Sequence, residues 1–394
     1  NILQEYANQE LVIVFSAMGK VTNMLENVVD SYVQKSTNTN IVLQKVKDFH
    51  SIILRGIFKE SHPIFDIVNN LFVEIEWVLE DEPNQDYAYD YDQIVSVGEF
   101  LSTQIMSAYL QQVGFENTWL DVRDLIRTDN THRNAKIDWE TTTDLIKRNV
   151  KTKHSITQGF LGCTSENFTS TLGRKGSDFS AAILAFCLEA SEVVIWKDVP
   201  GVLNGDPKVF NNAILLEEIS YREAIELAYY GASVIHPKTI QPLQHKNIPL
   251  YVRSFVNPEL PGTVIKSGLL LKPLVPCYIR KTEQALISVA TRDLAFIVEE
   301  HLQLIYSIFH THGLTVNTNQ NSAISSSFCV NNDPIILPRV LSDLHQHFDV
   351  KTNNELELYT IRHHSPQTRQ AICGDKKPLL EQITRETYQV VLHA

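Results

Sequence analysis

Three short apolar runs constrain the fold most: LVIVF at 11–15, EVVIWKDV at 192–199 and IPLYVRSF at 248–255. Each is too short for a buried helix and is bounded by turn-forming residues. LVIVF is apolar on both faces, the pattern of a strand covered on both sides in a parallel sheet. Helical patterns lie between the runs. Residues 23–80 read as mostly helical, IVSVGEFLSTQIMSAYLQQVG as a helix closing at Gly114, and YREAIELAYYGA as a helix closing at Gly231. Further strand-like segments fall near 118–122 and 154–161, and the acidic EDEPNQDYAYDYD at 80–92 reads as a solvated loop. This alternation predicts an α/β fold, a three-layer α/β/α sandwich around a mostly parallel sheet.

At 394 residues the chain exceeds one ordinary core, so two or three domains are expected. The texture changes in the proline-punctuated NPELPGTVIKSGLLLKPLVP at 257–276, which places a boundary at about residue 270. Beyond it, QALISVAT, FIVEEHLQLIYSIFHTHG, TVNTNQN, AISSSFCVN and ILPRVLSDLHQHF follow one another in β-α-β-β-α order, the signature of a ferredoxin-like α+β unit. LELYTIRHHS and ETYQVVLHA add two strands, with KPLLEQIT as the candidate helix between them. Residues 275–394 therefore read as one full and one abbreviated unit.

A net charge of −12 argues against nucleic acid as the main partner, while still allowing a local cationic pocket. No apolar run reaches the roughly 18 residues that span a bilayer. Five scattered cysteines without a CxxC fit reduced thiols and a cytoplasmic protein. No HExxH occurs, and the adjacent His363 and His364 are expected to point apart on a strand, so no metal site is expected.

The stretch TSTLGRKGSDFSAAILAF at 169–186 is glycine-rich, cationic, and opens into a helical pattern. Backbone amides of such a turn, aimed by a helix N-terminus, make an anion site. Arg174 adds a planar fork suited to a carboxylate. Asp178, in the first helical turn, is placed to orient a lysine. The stretch is neither GxxxxGK[ST] nor GxGxxG, so it matches neither standard nucleotide fingerprint.

TLGRKGSDFSAA, IWKDVPGVLNGDPK and YYGASVIHPKT together resemble the aspartate kinases of the amino-acid kinase family. FSAMGKVTNML, SVGEFLS, TQGFLG and NPELPGTVI agree in the same order. The resemblance implies a kinase domain at 1–270 and ACT regulatory units at 275–394. It implies transfer of the γ-phosphoryl group of ATP, with Mg2+, to the side-chain carboxylate of L-aspartate, a step toward lysine, threonine and methionine. It also implies an amino-acid effector and a homodimer. Two other classes stay open: a kinase acting on glutamate, acetylglutamate or a nucleoside monophosphate, against which SVGE, GRKGSD and the ACT-like tail count, and a non-catalytic amino-acid sensor, suggested by Lys175 and Ser233 and by the opening strand expected upstream.

Residue by residue, the resemblance assigns Arg174 and Asp178 to catalysis. Thr22, Glu99, Phe160, Arg174 and Ser177 would hold aspartate. Lys197, Asp198, Leu203 and Lys208 would hold the nucleotide, and Gly313, Val316, Asn317 and Ser322 an effector. Some positions depart from the family pattern: Lys175 stands for a glycine, Leu203 for a frequent tyrosine, Lys208 for an arginine and Ser233 for a lysine. The family's KFGG-type opening strand, with its lysine, is expected upstream of Asn1. On that pattern the chain as written is expected to turn over poorly, and without a dehydrogenase-like region after the ACT units it resembles the monofunctional type.

Overall fold

The computed structural model describes residues 2–173, 175–232, 234–293 and 295–394. The described residues form two compact units, 1–198 with 235–260 and 264–267, and 199–234 with 261–263 and 268–394. Segment 199–234 thus groups with the C-terminal region, although it precedes residue 270 in sequence.

In the first unit, β1 (Leu11–Phe15) is followed by α1 (Val21–Val33), α2 (Thr39–Ile57), α3 (Ile64–Glu80), α4 (Tyr87–Val95) and α5 (Val97–Gln112). Then come β2 (Thr118–Trp119), α6 (Trp139–Asn149), β3 (His154–Gln158), the hairpin β4 (Leu161–Cys163) and β5 (Thr169–Thr171), α7 (Gly176–Leu188) and β6 (Val193–Lys197). After the excursion into the second unit, the chain returns as α8 (Pro237–Lys246) and β7 (Leu250–Ser254). β1, β3 and β2 form a parallel sheet in that spatial order, and β6 pairs in parallel with β7. The apolar runs are therefore parallel strands, as their composition implies.

Two readings of this unit need correction. The acidic stretch 80–92 is not all loop, because α4 starts at Tyr87 with Asp86 capping the Ala88 N–H at 2.9 Å. Two of its acidic residues turn inward: Asp90 and Asp92 are buried, with Tyr91 between them. The long helix expected from Ile94 to Gly114 is also interrupted at Ser96, so α4 and α5 are separate.

In the second unit, the helix Tyr221–Tyr230 is capped by Ser220 and closes at Gly231. A six-stranded antiparallel sheet follows, built from β8 (Cys277–Ala290), β9 (Val316–Asn321), β10 (Ser325–Asn331), β11 (Asp349–Arg362), β12 (Leu380–Ile383) and β13 (Thr387–His393). The spatial order is β9-β10-β8-β11-β13-β12. α9 (Glu299–His312) and α10 (Ile336–His347) bury Ile305, Phe309, Val340 and Leu344 on it. This confirms the β-α-β-β-α order, and β8 begins seven residues before the predicted strand.

KPLLEQIT is not a helix. Its Leu380–Ile383 pairs antiparallel with β13, and the helix is α11 (Pro366–Cys373), opened by a Ser365 capping box. His363 does not continue β11 either: it lies past the strand end, with φ of 55°.

Candidate active site

The strand ends place the candidate residues. The Gly159 N–H donates to the Phe15 carbonyl at 2.9 Å, so the C-terminal ends of β1 and β3 lie side by side. Ligands of open α/β sheets bind at such ends. A Cβ on Gly159 would lie 2.5 Å from the Ser177 Cβ, and one on Gly176 would lie 2.9 Å from the Phe160 Cα. The strand end and the start of α7 therefore meet backbone to backbone, and only glycine fits at either position. Phe160 adopts φ of 71°, and its N–H donates to the Ser180 hydroxyl at 2.9 Å. This brings Phe160 and Ser177 together. Arg174 and Ser233 lie outside the described residues.

Glu99 sits in the first turn of α5. Close packing of Gly98 on Val21, Leu25 and Ala17, at 3.1–3.3 Å from a built Cβ, seats this turn against the segment after β1. Glu99 is 2 % exposed. One carboxylate oxygen accepts from the Ala17 N–H at 3.4 Å, and the other has no hydrogen-bond partner among the described residues. Burial pushes the carboxyl up to about 8, against the smaller opposing effect of that backbone contact. A buried carboxylate with a vacant acceptor is a receptor for a cation. Thr22 lies one residue beyond Val21. It stands in the first turn of α1, whose N-cap is Lys20.

Around the start of α7 the charges are cationic. The Lys197 ammonium, at the end of β6, pairs with Asp178 at 2.9 Å, both side chains being largely shielded. Lys175 occupies the N-cap of α7 in the left-handed region at φ of 56°. Burial, then the Lys197 charge, holds its ammonium below the usual value. His236, the N-cap of α8, is lowered by burial and then by Lys238 and Lys175. Lys238 reaches the Asn134 side chain, which also lies against Gly173. Sequence reasoning passed over His236 and Lys238 although it quoted them in SVIHPKT. They join this cluster because α8 packs on α7. The cluster can neutralise a multiply charged anion, and the helix dipole acts in the same sense.

Asp198 ends the first unit at an exposed position. Leu203 and Lys208 belong to the second unit, where Lys208 is exposed and Leu203 half-buried. Also in the second unit, Gly313 closes α9 at φ of 70°, Val316 and Asn317 open β9, and Ser322 lies in the exposed β9–β10 turn. These four residues therefore share one turn and hairpin. The Asn317 side chain is already engaged: it accepts from Lys281 at 2.7 Å and donates to Gln284 at 2.7 Å and Asn331 at 2.8 Å. The described residues contain no group of three His, Cys, Asp or Glu side chains able to hold a metal ion, and no helix long and apolar enough to cross a membrane.

Over 276 residues the chain is 33 % identical to bifunctional aspartokinase/homoserine dehydrogenase 2 of Arabidopsis thaliana, which covers 67 % of the chain and 30 % of that protein. It is 33 % identical to lysine-sensitive aspartokinase 3 of Escherichia coli over 242 residues, 59 % of the chain and 53 % of the relative. The matches thus span about a third to a half of these relatives' length. The structure of E. coli aspartokinase III in complex with aspartate and ADP superposes with a TM-score of 0.84 at 24 % identity, over 100 % of this chain and 91 % of that one. The profile of the amino acid kinase family matches residues 1–254, which contain β1, Glu99, the glycine turn and the Lys197–Asp178 pair, and the chain belongs to that family.

Proposed function

We propose that the chain is an aspartate kinase, transferring the γ-phosphoryl group of ATP to the side-chain carboxylate of L-aspartate. The observation that carries this reading is Glu99, a buried carboxylate with a vacant oxygen at the strand ends that also hold the glycine turn. It suits an α-ammonium group. A carboxylate nucleophile is already ionised near neutral pH, so its attack on the γ-phosphorus, with departure of ADP, needs no general base. What remains is positioning and charge neutralisation. Lys197, oriented by Asp178, together with Lys175, Lys238 and the α7 N-terminus, supplies the neutralisation. Arg174 is assigned to the substrate α-carboxylate on sequence grounds, with Thr22, Phe160 and Ser177 around it. Lys197, Asp198, Leu203 and Lys208 are assigned to the nucleotide.

A magnesium ion would arrive on the phosphates and needs only one or two protein carboxylates. Asp178 and Asp198, at the start of α7 and the end of β6, fit that need, and the ion would add Lewis-acid charge to the phosphates. The proposal extends to a kinase domain at 1–270, a regulatory region at 275–394, a homodimer, a cytoplasmic location and an amino-acid effector at Gly313, Val316, Asn317 and Ser322. Five free cysteines, four of them buried, support a reducing compartment.

A coupled assay of ADP release tests the reading, with L-aspartate, L-glutamate and N-acetyl-L-glutamate as acceptors and lysine and threonine as added effectors. Release that depends on aspartate alone is expected. Release with another acceptor, or with none, would refute the assignment.

A further inference from the structure

The Asp92 carboxylate is fully buried on α4 and is saturated with donors. The Thr171 N–H donates at 2.9 Å and its hydroxyl at 2.6 Å. The Arg133 N–H donates to both carboxylate oxygens, at 3.2 and 3.1 Å, and the His132 ring nitrogen lies at 2.9 Å. These donors come from two segments, the end of β5 and the loop 132–134, and both lead to the glycine turn. Thr171 is the last residue of β5, two before Gly173. The loop backs the same glycine, because a Cβ on Gly173 would lie 3.1 Å from Asn134 Oδ1 and 3.2 Å from the Arg133 carbonyl. The Ala135 N–H returns to the Thr171 carbonyl at 3.0 Å, and Gln93, next to Asp92, donates to the Thr169 carbonyl at 2.9 Å.

α4 is also the element that delivers Glu99, since only Ser96 separates it from α5. Asp92 therefore ties the helix pair bearing the candidate ammonium receptor to the turn bearing the candidate carboxylate clamp. A carboxylate placed out of water is costly to fold around and is retained only where its hydrogen bonds are complete. Backbone donors make it sensitive to the path of the chain rather than to one side chain.

We propose that Asp92 is a positioning residue that sets the glycine turn 173–177 against Glu99 and thereby sets the affinity for the amino-acid substrate. This inference rests on the aspartate kinase reading. The residue does not touch substrate. It acts through Thr171 and the loop 132–134.

The test compares wild type, Asp92→Asn and Thr171→Val by steady-state kinetics in both substrates and by thermal melting. Asp92→Asn keeps the shape but loses the charge. Its KM for aspartate should rise by about tenfold or more, the effect of losing charge-assisted bonds, with the KM for ATP held within about twofold. Thr171→Val removes one hydroxyl donor and should move the aspartate KM the same way by about threefold. Should the first variant fail to fold, the second decides alone. A lower melting temperature with an unchanged aspartate KM, or equal rises in both KM values, would overturn the proposal by reducing Asp92 to a structural role. A wild-type protein with no response to aspartate would overturn the functional reading, and this inference with it. The wild-type control tells these failures apart.

Discussion

Replacing Glu99 by glutamine separates charge from shape at the candidate ammonium receptor. In the unliganded site burial pushes the Glu99 carboxyl up to about 8, against an ordinary 4.5. At about 1.4 kcal/mol per pH unit, this difference puts the cost of the ionised form on the order of 5 kcal/mol. Near pH 7 the empty site should therefore hold a proton, and an arriving ammonium group should expel it. Calorimetric titration of L-aspartate at pH 7, in buffers of differing ionisation enthalpy, should detect release of nearly one proton by wild type and none by Glu99→Gln. The variant should also bind aspartate about 10- to 100-fold more weakly, having lost a charge-assisted bond. Stability gives an independent check. The folded protein keeps the proton that the unfolded chain loses above pH 4.5, so this group lowers wild-type stability as pH rises from about 4.5 to about 8. Glu99→Gln lacks that slope, and its melting temperature should gain on wild type across the same window. Equal proton release by both proteins, or a constant melting difference between pH 5 and 9, would refute the reasoning.

Lys197→Met removes the cation held by Asp178. Turnover should fall by about a hundredfold or more with a small change in aspartate KM, and a loss confined to KM would move Lys197 to the amino-acid substrate. Arg174→Ala should raise the Michaelis constant for aspartate far more than that for ATP, and equal effects would remove Arg174 from the carboxylate role. Gly159→Ala sets a methyl group 2.5 Å from Ser177 Cβ and should cost about 1–3 kcal/mol in urea unfolding, whereas an unchanged midpoint would mean the strand end can move aside. In the second unit, burial raises the Glu223 carboxyl, but the His363 ring 3.1 Å away and the hydrogen bonds from Arg362 outweigh it and hold the group at about 2. The stability this gives is present above pH 4.5 and is lost as pH falls toward 2. Arg362→Met should cost about 3 kcal/mol near neutral pH and flatten that acid limb, and an unaltered acid transition would contradict the pairing.

The parallel strands were legible because continuous apolar runs have few alternatives. The C-terminal sheet was legible because its helices and strands alternate between sharp glycine and proline stops. Two stretches misled for physical reasons. Residues 80–92 look solvated by composition, but Asp86 caps a helix whose Asp90 and Asp92 bury their charges on backbone donors. KPLLEQIT has a helical spacing, but pairing with β13 overrides it. At the site, the glycine turn and an Asp178 placed to orient a lysine could be read from local pattern, but that the lysine is Lys197 could not. The burial of Glu99 could not, since a lone glutamate at a helix start reads as solvated. The contributions of His236 and Lys238 depend on α8 packing back on α7, a contact between segments some sixty residues apart. Asp92 carries no motif of its own, and its role follows only from the donors that surround it.

Trapping the product with hydroxylamine tests the central claim most directly, because an acyl phosphate yields a hydroxamate that identifies the acceptor. With ATP, Mg2+ and each candidate acid in turn, the account predicts aspartyl hydroxamate from L-aspartate and no hydroxamate from L-glutamate or N-acetyl-L-glutamate. Hydroxamate from either of those acids, or ADP release with aspartate but no trapped acyl group, would contradict it.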